Sequence, residues 1–202
     1  MSEADLNTEQ KILEAARVVF IEKGYEGARM QEIADQAGIN KALLHYYYRS
    51  KDKLFEGVFR DAFFELVPHI VQLIKSDIPL FEKIETFVRE YISVFQANPY
   101  IPGFVLHELS RNPGRIVNMI SDLGVDPQVF IDQVEQEVEK GTIHPVNPYQ
   151  LIVNMLALCI FPFVASPIIK NIIFSRKPGY FDQFIEERKT EAPKFIINAI
   201  KK

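Results

Sequence analysis

The 202-residue sequence has no tryptophan and a single cysteine, Cys159. One cysteine excludes an intramolecular disulfide, so the chain must be held by packing and hydrogen bonding. The residues from Met1 to Asp5 carry neither a basic nor an apolar segment, which gives no secretory signal and makes the cytoplasm the expected compartment. Glycine is sparse, with 9 residues, and none builds a phosphate-cradling loop or a nucleophile elbow. His45, His69, His107 and His144 are scattered and Cys159 sits in an apolar run, so neither a catalytic dyad nor a cofactor is expected. The pair His107 and Glu108 has Arg111 where a zinc-binding helix needs its second histidine, so no metal is expected either. A net charge of −4 excludes a protein that coats nucleic acid everywhere, because non-specific affinity comes from cations that neutralise phosphates. These absences argue against an enzyme.

What is present is helical periodicity. With 48% hydrophobic and 25% charged residues the chain has the balance of a globular protein, and 16 phenylalanines and 8 tyrosines supply its aromatic mass. Thr8 can cap a first helix, in which Ile12, Leu13, Ala16, Val19 and Phe20 recur at helical spacing until Gly24. A short second helix covers 30–37 and ends at Gly38; Asn40 caps a third, which runs to Tyr47. Ser50 caps a fourth, which extends toward Lys75 with a kink at Pro68. Further helical patterns cover 80–96, 104–121 with an interruption at Pro113 and Gly114, 127–140, 149–169 and 181–200; the apolar stretch 168–174 is helix or loop. The fold class is therefore all-α with about nine helices. A three-helix N-terminal domain over 1–52 precedes a larger helical domain over 53–202. The apolar run 151–169 is long enough to be screened as a membrane span, but Asn154, Pro162, Ser166 and Pro167 argue against one.

The three N-terminal helices carry the most specific signal. Gly38 tolerates the positive φ of a tight turn, small Ala34 lets two helices cross closely, and Leu44 plugs the space between them. From 40 to 51 the only charged residues are Lys41, Arg49 and Lys51, with His45 beside them and no acid. The stretch ILEAARVVFIEKGYEGARMQEIADQAGINKALLHYYYRSKDKLF, from Ile12 to Phe55, resembles the TetR family of transcriptional regulators. The likeness lies in the Phe-x-x-x-Gly-Tyr end of helix one, the Ile-Ala of helix two, the Ala-Gly turn, the aromatic close of helix three and Ser-Lys-Asp-Lys-Leu.

That resemblance implies a sequence-specific repressor that binds a palindromic DNA operator as a homodimer and is released by a small apolar or aromatic effector. Helix three would enter the major groove, with Asn40 at its start and Lys41, Ala42 and His45 placed to read base edges. Tyr46 and Tyr47 would offer hydroxyls to phosphates or bases. Arg29 and Gln31 would serve phosphate and base at helix two, and Lys51 would clamp a phosphate. The chain departs from the family at Arg29, where Ser or Thr is usual, at Leu43, usually Thr, and at His45, usually Tyr. The expected effector pocket draws on Phe87, Tyr91, Phe104, His107, Arg111 and Met155, an apolar lining with a few polar groups. The last two long helices would pair with their symmetry mates, through Ile152, Leu156, Ile160, Phe184, Phe195 and Ile196.

Overall fold

Apolar stripes at helical spacing and a handful of glycines and caps set the helix boundaries of this chain. The computed structural model describes residues 3–111 and 113–202, and the side chains of these except at 3–6, 62–66, 104, 107, 108, 111, 115 and 119. Residues up to Glu65 together with Asn98–Phe104 form one compact unit; Leu66–Ala97 and Val105–Lys202 form a second.

The first unit opens with α1, Glu3–Gly27, so the helix begins before Thr8 and does not use it as a cap. Inside α1 the backbone leaves helical geometry at Gly24 (φ 67°, ψ 174°), the residue expected to stop it. Ile12, Ala16, Val19 and Phe20 form its buried face. Helices α2, Met30–Gln36, and α3, Lys41–Tyr47, follow, and α4, Lys51–Lys75, continues into the second unit with Pro68 inside it. Phe20 and Tyr25 meet Phe55 edge-on and Tyr100 meets it at a tilt, with centroids 4.6 Å apart for Phe20 and Phe55 and 5.8 Å for Phe55 and Tyr100.

The second unit is built on α5, Leu80–Ala97, whose Ile84, Val88, Ile92 and Phe95 are buried. Helix α6, Ile101–Arg111, begins in the first unit and ends in the second; α7, Pro113–Asp122, and α8, Gln128–Glu139, then precede the long α9, Pro148–Val164. A three-residue turn, α10 (Ser166–Ile168), and a π-helical turn over Ile169–Ile173 then lead to α11, Phe181–Ile200. The ambiguous stretch 168–174 is thus mostly a π turn. Helix α11 packs on α5 and α9, and α8 on both as well. Each fully buried Ile, Leu or Phe at these contacts contributes roughly 1.5–3 kcal/mol. The β pairing among the described residues is an isolated antiparallel bridge between Ile143 and Lys201, beside a 2.7 Å bond from the His144 N–H to the Ile200 carbonyl.

Lys83 is 3% exposed in this unit. Its ammonium donates to the carbonyls of Ile74 (2.9 Å) and Ser76 (2.8 Å), which satisfies acceptors at the end of α4 that the helix itself leaves open. Burial lowers its pKa from the ordinary lysine value, and Asp77 opposes that shift. No single helix among the described residues is long and apolar enough to cross a membrane; α9 and the turns after it are bent by 62°.

Candidate nucleic-acid interface

The turn between α2 and α3 is fixed by backbone bonds from the Ala37 N–H to the Ile33 carbonyl (2.9 Å) and from the Ile39 N–H to the Ala34 carbonyl (3.0 Å). Gly38 sits there at φ +68°, where a side chain would be strained. Ala34 and Leu44 are completely buried, so the two helices cross on a small residue and lock on a large one. Asn40 caps α3 as its sequence predicts: its Oδ1 accepts the Leu43 N–H at 2.8 Å. Arg29, at the same position before α2, makes no side-chain cap.

With Leu44 turned inward, α3 presents Lys41, Ala42, Leu43, His45 and Tyr46 to solvent. Tyr46 is 80% exposed, and its ring meets the half-buried Tyr47 edge-on at 5.5 Å. Arg29 and Gln31 are exposed at the start of α2, and the Gln31 amide donates to Asp35 Oδ1 at 2.8 Å. The structure therefore gathers Lys41, Ala42, His45 and Tyr46 on the open side of one short helix. Asn40 is exposed too, but its side-chain oxygen is committed to the cap.

Lys51 sits differently from the other cations. Its ammonium donates to the carbonyls of Tyr25 (2.8 Å) and Ala28 (3.3 Å) and lies 4.3 Å from the centre of the Tyr25 ring. The Tyr25 hydroxyl in turn donates to Asp52. Lys51 and Asp52 thereby tie the start of α4 to the chain between α1 and α2. Spacing in the sequence gave no signal of this, because the acceptors are backbone carbonyls.

Tyr48, which closes α3, donates from its hydroxyl to Glu9 Oε1 at 2.9 Å. Desolvation, and then that carboxylate, push the phenol far above its ordinary pKa. Gly57 on α4 passes so close that a Cβ there would stand 2.9 Å from Tyr48 Cε1 and 3.1 Å from Leu13 Cδ2. Tyr48 and Gly57 are both half-buried, and their close contact sets the position of α3.

In the second unit Phe87, Tyr91 and Phe95 form an aromatic run along α5, with Tyr91 5.2 Å from Phe87 and 4.7 Å from Phe95, and Phe95 reaches Phe163 at 5.5 Å. Met155 and Cys159 are buried on α9. Burial raises the pKa of Tyr91, with Cys159 as a second cause, and pushes the Cys159 thiol up to about 12. The side chains of Phe104, His107 and Arg111 lie outside the described residues. Among the described residues no group of three His, Cys, Asp or Glu is arranged to hold a metal ion.

Of the residues expected to pair two copies, Ile152, Leu156, Ile160 and Phe184 are half-buried, Phe195 is 68% exposed, and Ile196 is buried in its own chain. The open face of α9 is one residue further on, at Val153 (60% exposed), Ala157 and Phe161 (61%). A groove of about 530 Å³ runs beside it, lined by Asn154, Ala157, Phe161, Arg188, Phe195 and Ala199 among others.

Residues 12–58 match the family described as bacterial regulatory proteins, tetR family. The probable HTH-type transcriptional regulator YttP of Bacillus subtilis is 23% identical over 190 residues, covering 91% of each chain. IcaR of Staphylococcus aureus, the negative transcriptional regulator of a biofilm operon, is 31% identical over 119 residues, which are 56% of this chain and 61% of IcaR. A TetR/AcrR-family regulator from Thermobifida fusca shares the fold with a TM-score of 0.65 at 18% identity, over 95% of this chain and 97% of that one.

Proposed function

This chain belongs to the TetR family of bacterial regulatory proteins, a DNA-binding transcriptional regulator and not an enzyme, and from that premise we propose that it is a ligand-responsive repressor. It binds a palindromic operator as a homodimer and lets go when a small apolar or aromatic effector binds. The observation that carries this reading is the open face of α3: Lys41, Ala42, His45 and Tyr46 are free of the core on a helix whose other side is locked by Leu44. A lysine can donate to guanine O6 and N7, and a small alanine permits close approach to a thymine methyl.

An apolar effector is supported by the Phe87, Tyr91, Phe95 and Phe163 rings and by the burial of Met155 on α9. Repression is supported by the likeness to a negative regulator. Selection from randomised duplexes tests the central point: a motif with two inverted half-sites, one duplex turn or a multiple apart, is expected. Recovery of no motif would overturn operator recognition.

A further inference from the structure

The acidic character of the chain breaks off along one stretch. Of its 27 aspartates and glutamates none falls between Lys140 and Phe181, and that stretch carries Lys170, Arg176 and Lys177 near its end. Among them in sequence are the most exposed aliphatic side chains of the described residues, Ile172 (68%) and Ile173 (65%), and Ile168 is exposed as well. The π-helical turn over Ile169–Ile173 puts these three together. Its Phe174 N–H bonds to the Ile169 carbonyl at 2.8 Å, and in a turn of that width the residues four and five positions on lie to either side of the first. Ile172 and Ile173 therefore share a face with Ile168. The turn is held from behind, because Ile169 is buried and the Phe174 ring meets Tyr180 at 5.0 Å and Phe184 at 5.2 Å. Its apolar face is fixed in place and stays uncovered by its own chain.

The cations stand apart from that face. The Lys170 ammonium lies 4.4 Å from the centre of the Phe181 ring and the Lys177 ammonium 5.0 Å from that of Tyr180, contacts that leave their N–H donors open. Arg176 is exposed, and none of the three is in an ion pair among the described residues. Two acids of α11 are close by: Asp182 lines a hollow of about 280 Å³ with Lys170 and Lys177, and Glu187, which feels the charge of Lys177, accepts from the Tyr180 hydroxyl at 2.6 Å and the Gln183 amide at 2.7 Å. A partner for this turn must cover three side chains that offer no hydrogen bond and must also bring negative charge. A nucleic-acid duplex meets the second demand and leaves the isoleucines in water. A second copy seated on a two-fold axis here brings the same three cations with it. The acyl boundary and phosphates of an anionic bilayer meet both demands.

We propose that the turn from Ile168 to Lys177 docks this protein on an anionic lipid surface, with Ile168, Ile172 and Ile173 entering the acyl boundary and Lys170, Arg176 and Lys177 on the headgroup phosphates. The attachment is peripheral and needs no spanning helix. It goes beyond the repressor reading and stands or falls separately from it.

Co-sedimentation of the full chain with vesicles tests this, using phosphatidylcholine alone and phosphatidylcholine mixed with phosphatidylglycerol. Binding to the mixed vesicles that weakens as salt rises, with little to phosphatidylcholine alone, is expected. Ile172→Ser with Ile173→Ser should weaken it at least about tenfold, and Lys170→Gln, Arg176→Gln and Lys177→Gln together roughly a hundredfold. Both variants change exposed side chains and should keep the wild-type melting temperature. Absence of wild-type binding to the mixed vesicles, or unchanged binding in either variant, would overturn the proposal. So would an isoleucine variant that sediments as a smaller species than the wild type, which gives the face to a second copy. A cation variant that loses affinity for duplex DNA but none for vesicles would give the cations to nucleic acid and overturn it too.

Discussion

Lys51 and Lys83 meet the same electrostatic demand in the two units, each giving its ammonium donors to backbone carbonyls that no helix satisfies. Unpaired buried carbonyls cost about 1–3 kcal/mol each, so each lysine stabilises its own unit through these bonds. Cys159 is the converse case, a reactive group type made inert by its surroundings. Its thiol is completely buried on α9, and burial raises its pKa from 9.0 to about 12 despite the opposing charge of Arg188. Because the folded value lies above the unfolded one, the neutral thiol's contribution to stability is intact below pH 9 and is lost as pH rises toward 12. Alkylation by iodoacetamide at pH 8 should therefore be slow in the native protein and fast in urea, since the thiolate is the nucleophile. Equal rates in both states would show that the thiol is accessible and ionisable in the fold.

At the scale of elements, what the sequence made legible depended on whether a short-range rule governed the feature. The caps at Asn40 and Ser50, the Gly38 turn and the break at Gly24 are set within three or four residues, and each lies where its side-chain chemistry places it. The open face of α9 was not legible in this way. That helix is apolar nearly all round, so periodicity points to no side, and the exposed row falls on Val153, Ala157 and Phe161 instead of Ile152, Leu156 and Ile160. The carbonyl bonds of Lys51 were hidden for a different reason, since no pattern of residue types reveals which carbonyls the chain will expose. The unequal caps of α2 and α3 make a quantitative prediction. Replacing Asn40 by Ala should cost about 1 kcal/mol in chemical denaturation, whereas replacing Arg29 by Ser should raise stability by roughly 0.5–1 kcal/mol by supplying the acceptor α2 lacks. Should Arg29→Ser leave stability unchanged, the α2 N–H groups already have partners and the cap argument fails.

For the whole molecule, the question is what covers Phe161 and Phe195. Two phenylalanines with 61% and 68% of their surface open, on either side of a 530 Å³ groove, are costly to leave in water at about 25 cal/mol per Å². A second copy brings the same two rings and the same groove, so a two-fold axis through this face lets each ring fill its partner's groove, the self-complementary contact of an isologous dimer. Phe161→Glu with Phe195→Glu should then yield a folded monomer in sedimentation analysis, because a carboxylate at each position sets like charges against one another across the axis. Arg188 lines the same groove and donates its Nε–H to the Leu158 carbonyl at 3.1 Å, so part of its guanidinium is free to attract one introduced acid. The double variant outweighs that single cation. If dimerisation is what presents two α3 helices to two half-sites, the monomer should also lose about half the salt slope and most of its preference for the inverted motif over a single half-site. A double variant that stays dimeric would move the interface off α9 and α11; one that becomes monomeric yet keeps full preference for the inverted motif would show that the two half-sites are read independently.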